Sequence, residues 1–130
     1  MNRVKAIHVV MATWCPHCVP TTTEPMMAAA KELEVPFLTY DIDTPAVAKA
    51  DQLVKEHGDW KEDYLIPQVF FEFEDGNFIH VLTGDPQGVQ YTRQKIKTYL
   101  GSSTYKALKD RQLAEKRAAP MHDRRTLNVL

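Results

Sequence analysis

Cys15 and Cys18 are the only cysteines in 130 residues, and two residues separate them. A disulfide that stabilises a fold closes a long loop, whereas two cysteines on one turn cross-link almost nothing. Their use is therefore chemical, either redox exchange or metal binding. The residues between them, Pro16 and His17, complete a Cys-Pro-His-Cys run. A thiolate is the nucleophile in disulfide exchange. Unpaired N–H groups and the dipole at the start of a helix favour an anion, and the sequence places Cys15 at such a start. His17 adds positive charge or a hydrogen bond on the same turn, and Pro16 pre-sets that turn. Cys18 lies one turn deeper and is more shielded. This asymmetry makes Cys15 the attacking thiol and Cys18 the resolving one.

The competing use of such a pair is one half of a zinc site. Structural zinc takes four ligands, from a second Cys pair or paired histidines. The chain has no third cysteine, and His8, His57, His80 and His122 show no matching spacing. No metal site is expected. A metal-binding module across a dimer and a non-catalytic interaction module remain as alternatives.

The elements that must position the motif follow from periodicity. Val4–Met11 is apolar and β-branched over a strand's length. After the motif, Pro20, Pro25 and three threonines interrupt the helix, predicting a first turn over 16–19, a break, and a helix from about 24 to 34. A second strand covers 36–42. Thr44 caps and Pro45 opens a helix over 45–57, which Gly58 stops. Strands at 68–74 and 78–82 flank an Asp75-Gly76 hairpin turn. A helix over 87–100 follows, with Val89, Ile96, Tyr99 and Leu100 as core candidates. Residues 102–118 read as a weakly amphipathic helix, and Met121–Leu130 as a mobile tail. The order β-α-β-α-β-β-α predicts an α/β fold: a mixed four-stranded sheet with helices on both faces, plus a C-terminal helical tail. The domain spans 1–101 and the basic extension 102–130.

Composition is ordinary for one globular domain, 44% hydrophobic and 25% charged. The net charge of −1 divides into −5 for residues 1–100 and +4 for 101–130. A near-neutral total gives no sign of nucleic-acid binding. No apolar run spans a bilayer, so no membrane partner is expected. The opening apolar stretch runs directly into the cysteine motif and reads as a strand rather than a leader, which places the protein in the cytoplasm.

The run Ala12-Thr13-Trp14-Cys15-Pro16-His17-Cys18, followed by Ile66-Pro67 before a strand, resembles the active-site pattern of the thioredoxin superfamily over residues 4–100. The resemblance implies a thioredoxin-like fold and a thiol–disulfide oxidoreductase that reduces or exchanges disulfides of protein or small-thiol substrates. It implies a cis Pro67 that packs on the motif and an Ile66 backbone that pairs with substrate, with Trp14 shaping the substrate surface. Because the chain starts at the strand leading into the motif, the layout is similar to glutaredoxins. Thr83-Gly84-Asp85 partly matches their glutathione-binding turn, so Gly84 and Asp85 are substrate-site candidates. No bound cofactor is implied, and glutathione or a thioredoxin reductase-like protein is the implied electron donor. Thioredoxins carry a buried Asp six residues before the first Cys; Val9 stands there in this chain. Trp60 and Tyr64 are candidates for a groove near Pro67, with packing as the default reading. His8 reads as a hydrogen-bonded core histidine.

Overall fold

The computed structural model describes the backbone of residues 2–129 and the side chains of residues 2–118. Four strands form one mixed sheet: β1 (Val4–Met11), β2 (Phe37–Asp41), β3 (Gln68–Phe73) and β4 (Phe78–Thr83). Their order is β2-β1-β3-β4. β1 runs parallel to β2, with Ile7 opposite Phe37 and Met11 opposite Asp41. β1–β3 and β3–β4 are antiparallel. The central strands β1 and β3 are buried almost throughout, as near-continuous apolar runs require.

Strand alternation builds two cores. Ile7, Val9, Met11, Val69 and Phe71 join α1 (Thr23–Leu33), Ile96 of α3 (Val89–Leu100) and Tyr105 of α4 (Ser103–Val129). Val10 and Phe70 face the other way, onto α2 (Val47–His57) through Ala50, Leu53 and Val54. Helices therefore cover both faces. On α1 the buried residues Met26, Ala29, Ala30 and Leu33 follow the 3.6-residue period. Pro25 falls in the first turn, where its missing N–H has no helical partner to lose. α2 begins at Val47 rather than 45, and the Thr44 hydroxyl accepts the Ala46 N–H at 3.2 Å. In the hairpin Gly76 adopts φ 90°, a left-handed turn position suited to glycine.

α4 departs most from expectation. Its first half is docked: Tyr105 and Gln112 are both 2% exposed. The Gln112 amide accepts the Val4 N–H at 2.8 Å and donates to Val4 O and Leu33 O at 3.2 and 3.0 Å. The extension expected from 102 is thus packed against the domain over this stretch. Its helical backbone passes the expected end at 118 and Pro120 to reach Val129. One proline removes a single helical hydrogen bond, and the two alanines before it favour helix. The mobility expected of Met121–Leu130 concerns a stretch whose side chains lie outside the described residues. Among the described residues no helix is long and apolar enough to cross a membrane.

Candidate functional site

The site lies where β1 ends and β3 begins. β1 delivers Ala12 to the sheet edge, and the Cys15 N–H returns to Ala12 O at 3.2 Å. The Cys15 carbonyl accepts the N–H groups of Cys18 and Val19, both at 3.0 Å. This is one isolated turn. The Val19–Pro20 peptide is cis, and α1 starts only at Thr23. The first turn, the break after it and the later helix start follow the expected pattern, with the helix beginning at 23 rather than about 24. Pro20 has no N–H to extend the turn, so the chain re-enters helix through Thr22 and Thr23, whose N–H groups share Cys18 O at 3.0 and 2.9 Å. The dipole available to Cys15 is that of a single turn, less than a full helix provides.

Both cysteines are free thiols. Cys15 is 5% exposed and Cys18 0%, so the expected depth order holds although Cys15 is itself largely covered. Burial pushes the Cys18 thiol far up from its ordinary range. The hydrogen bond between Cys18 and Cys15 and the negative charges at Cys15 and Asp41 raise it further, against a lowering backbone hydrogen bond at Ala12. Cys18 is thus held protonated, a donor toward Cys15. Asp41 was not singled out from sequence. It reaches the site because the parallel register sets it opposite Met11, one residue before Ala12. It brings a carboxylate to a motif whose own strand has Val9 at the position discussed above.

His17 reaches across to α3. Its Nδ1 lies 2.7 Å from the Thr92 hydroxyl, which also accepts the Asp85 N–H at 2.8 Å. Thr92 is fully buried. The His17 carbonyl accepts from the Thr22 hydroxyl at 2.7 Å. Pro16 is exposed beside it.

Ile66–Pro67 is cis. Gly84 packs against it: its N–H donates to Pro67 O at 2.8 Å. A Cβ at Gly84 would sit 2.7 Å from both Ile66 O and Pro67 Cδ, so this position requires glycine through close approach. No hydrogen bond to the Ile66 backbone occurs among the described residues, which leaves an N–H and a C=O available beside the site. Asp85 turns inward, accepting the Gln87 N–H at 2.9 Å and lying 3.7 Å from Lys95 Nζ. It is spent on shaping the loop before α3.

Trp14 is 67% exposed, anchored by its indole N–H to Asp43 Oδ2 at 2.6 Å. A cleft of about 420 Å³ lined by Gly58, Asp59, Trp60, Lys61, Leu65 and Thr83 opens beside Ile66. Trp60 lines it, whereas Tyr64 is tied to Asp51 by its hydroxyl at 2.8 Å. A larger cavity, about 710 Å³ between β4 and α3, shares only Thr83 and Asp85 with this neighbourhood. His8 is buried with Nδ1 on Tyr40 and Nε2 on Glu72, each at 2.8 Å, the hydrogen-bonded core histidine expected. Among the described residues no cluster of three or more His, Cys, Asp or Glu side chains is placed to hold a metal.

Sequence reasoning missed Thr92 and Asp41. Neither carries a local signal: each acquires its place through a contact distant in the chain. Compared with family models, curated proteins and solved structures, the chain matches none.

Proposed function

We propose that the protein is a dithiol oxidoreductase of thioredoxin-like fold, with Cys15 as nucleophile and Cys18 as resolving thiol. The asymmetry of the cysteine pair carries the reading: a buried thiol held protonated donates a hydrogen bond to a sulfur nearer the surface. The β2-β1-β3-β4 order and the Ile66 backbone, whose hydrogen-bonding groups have no partner among the described residues, support it.

Cys15 as thiolate attacks one sulfur of a substrate disulfide. One substrate thiol leaves, and a Cys15–substrate mixed disulfide remains. Cys18 then loses its proton and attacks the Cys15 sulfur. The second substrate thiol is released and a Cys15–Cys18 disulfide forms. Two equivalents of an external thiol, glutathione or a reductase dithiol, restore the starting state. The substrate strand pairs with the Ile66 backbone and lies along Trp14. The cytoplasm, with its reducing thiol pool, is the compartment in which such a site is kept as a dithiol.

Insulin reduction driven by dithiothreitol tests the reading. Cys15→Ser abolishes turnover, and Cys18→Ser accumulates a mixed disulfide detectable by mass. Undiminished activity in Cys15→Ser overturns it.

A further inference from the structure

We infer that Thr92 is a positioning residue for His17: its buried hydroxyl donates to Nδ1 and holds the imidazole neutral, with its proton on Nε2. This deepens the dithiol reading and rests on it, because the imidazole adjoins the attacking sulfur in sequence.

The argument is a count of hydrogens. A threonine hydroxyl has one hydrogen to give and can accept two bonds. Thr92 Oγ1 already accepts the Asp85 N–H at 2.8 Å. Its other contact is His17 Nδ1 at 2.7 Å. Were Nδ1 protonated, both contacts would donate into Oγ1, and the hydroxyl hydrogen would need a third partner. Among the described residues no such acceptor bonds to it. Thr92 is fully buried, so water does not take that hydrogen, and an orphaned buried donor is strongly disfavoured. The satisfied arrangement has Thr92 donating and Nδ1 accepting.

The surrounding charges leave this assignment in place. From the loop before α3 comes Asp85, whose carboxylate is occupied by the Gln87 N–H and lies 3.7 Å from Lys95. Lys95 of α3 donates to Thr83 O at 3.0 Å. From the motif come the thiols of Cys15 and Cys18. No carboxylate bonds His17 among the described residues.

The chemical consequence reverses part of the expectation from sequence. A His beside the attacking cysteine reads as a source of positive charge that stabilises the reduced site. Thr92 withholds that charge. The couple is more reducing than the Cys-Pro-His-Cys run by itself implies. The α3 residue acts through His17 and does not touch the sulfur chemistry.

The test uses the purified full chain in its reduced form. Nitrogen NMR of His17 at neutral pH should show an unprotonated Nδ1 and a protonated Nε2. Equilibration then measures the protein disulfide plus two glutathione thiols against the protein dithiol plus glutathione disulfide. Thr92→Val keeps the shape and removes the hydroxyl. It should move this equilibrium about tenfold toward the dithiol, the factor that one pKa unit of differential interaction represents. Thr92→Ser should restore the original equilibrium and tautomer. A His17 protonated at Nδ1 in the unmutated chain overturns the inference, as does a Thr92→Val chain with an unshifted equilibrium. If Thr92→Val does not fold, the unmutated tautomer and Thr92→Ser decide. A chain that exchanges no disulfide with any thiol instead defeats the dithiol reading, a separate outcome from the His17 spectrum.

Discussion

The two ends of the sheet are built on opposite principles. At the end where β1 begins, Gln112 closes the structure with an amide that satisfies three backbone groups at once, and Tyr105 adds a hydroxyl bond to Glu32 at 2.9 Å. At the end where β1 finishes, the loops also hold one another, through Trp14–Asp43, His17–Thr92 and Gly84–Pro67. Yet that end keeps bonding capacity in reserve: two free thiols, the Ile66 backbone and an indole face open to solvent. The contrast separates a closure that stabilises from a framework that holds two largely covered thiols beside an exposed indole and an unpaired backbone segment. Buried polar groups fully satisfied contribute to stability, whereas unpaired groups in reach of solvent are free for a substrate.

The largest effect that can break this comparison is at the closed end. Gln112→Ala leaves Val4 N–H, Val4 O and Leu33 O without their side-chain partner and should cost about 3 kcal/mol, since each orphaned buried group costs roughly 1–3 kcal/mol with partial relaxation. Denaturant unfolding measures the loss. Disulfide-exchange rates below the unfolding transition should stay within about twofold of the unmutated chain, as for a site distant from the change. An equal collapse of both would show that the ends are not separable.

At the open end, pH sharpens the contrast. The Cys18 thiol is raised, with burial the largest cause, and this cause persists once Cys15 is in a mixed disulfide and has lost its charge. Thiolate is therefore the minor form at neutral pH, and its fraction grows about tenfold per pH unit below the raised value. Release of a chromophoric thiol from a preformed Cys15 mixed disulfide should accelerate accordingly as pH rises. A flat profile would mean that deprotonation of Cys18 does not limit resolution.

Gly84→Ala comes next. The added Cβ meets the backbone at Ile66 O, 2.7 Å away, and backbone cannot step aside as a flexible side chain can. The Ile66–Pro67 segment should shift, and insulin reduction should fall about tenfold, in line with the sensitivity of reaction rates to small misplacements. Unchanged turnover in a folded variant would remove Ile66 from the substrate site. The smallest effect belongs to Tyr105→Phe, which deletes the Glu32 bond but keeps the ring in the core. A loss of about 1 kcal/mol by thermal or denaturant unfolding is expected for one hydrogen bond, with exchange kinetics unaffected.

Much of this organisation was legible along the chain because its signals are local. β1 reads from eight consecutive residues of strand character, α2 from Ala50, Leu53 and Val54 at helical spacing, and the reactive pair from two cysteines with Pro16 and His17 between them. The broken start of α1 was also foreseeable from Pro20 and Pro25. Its consequence was not: how far Cys15 stands from a real helix depends on where the chain re-enters one. Gln112 in a weakly amphipathic helix carries no mark of a clamp, because its three partners belong to the first strand and the first helix.

By itself the sequence determined which atoms can react and the two-residue interval that lets them meet, since covalent spacing and backbone preference operate within a few residues. Tertiary structure alone decided their environment. Strand pairing brought Asp41 opposite Met11, and α3 packing brought Thr92 to His17 across 75 positions of chain. Charge, burial and hydrogen bonding act through space, so the protonation of this site is set by neighbours that no local reading of the chain contains.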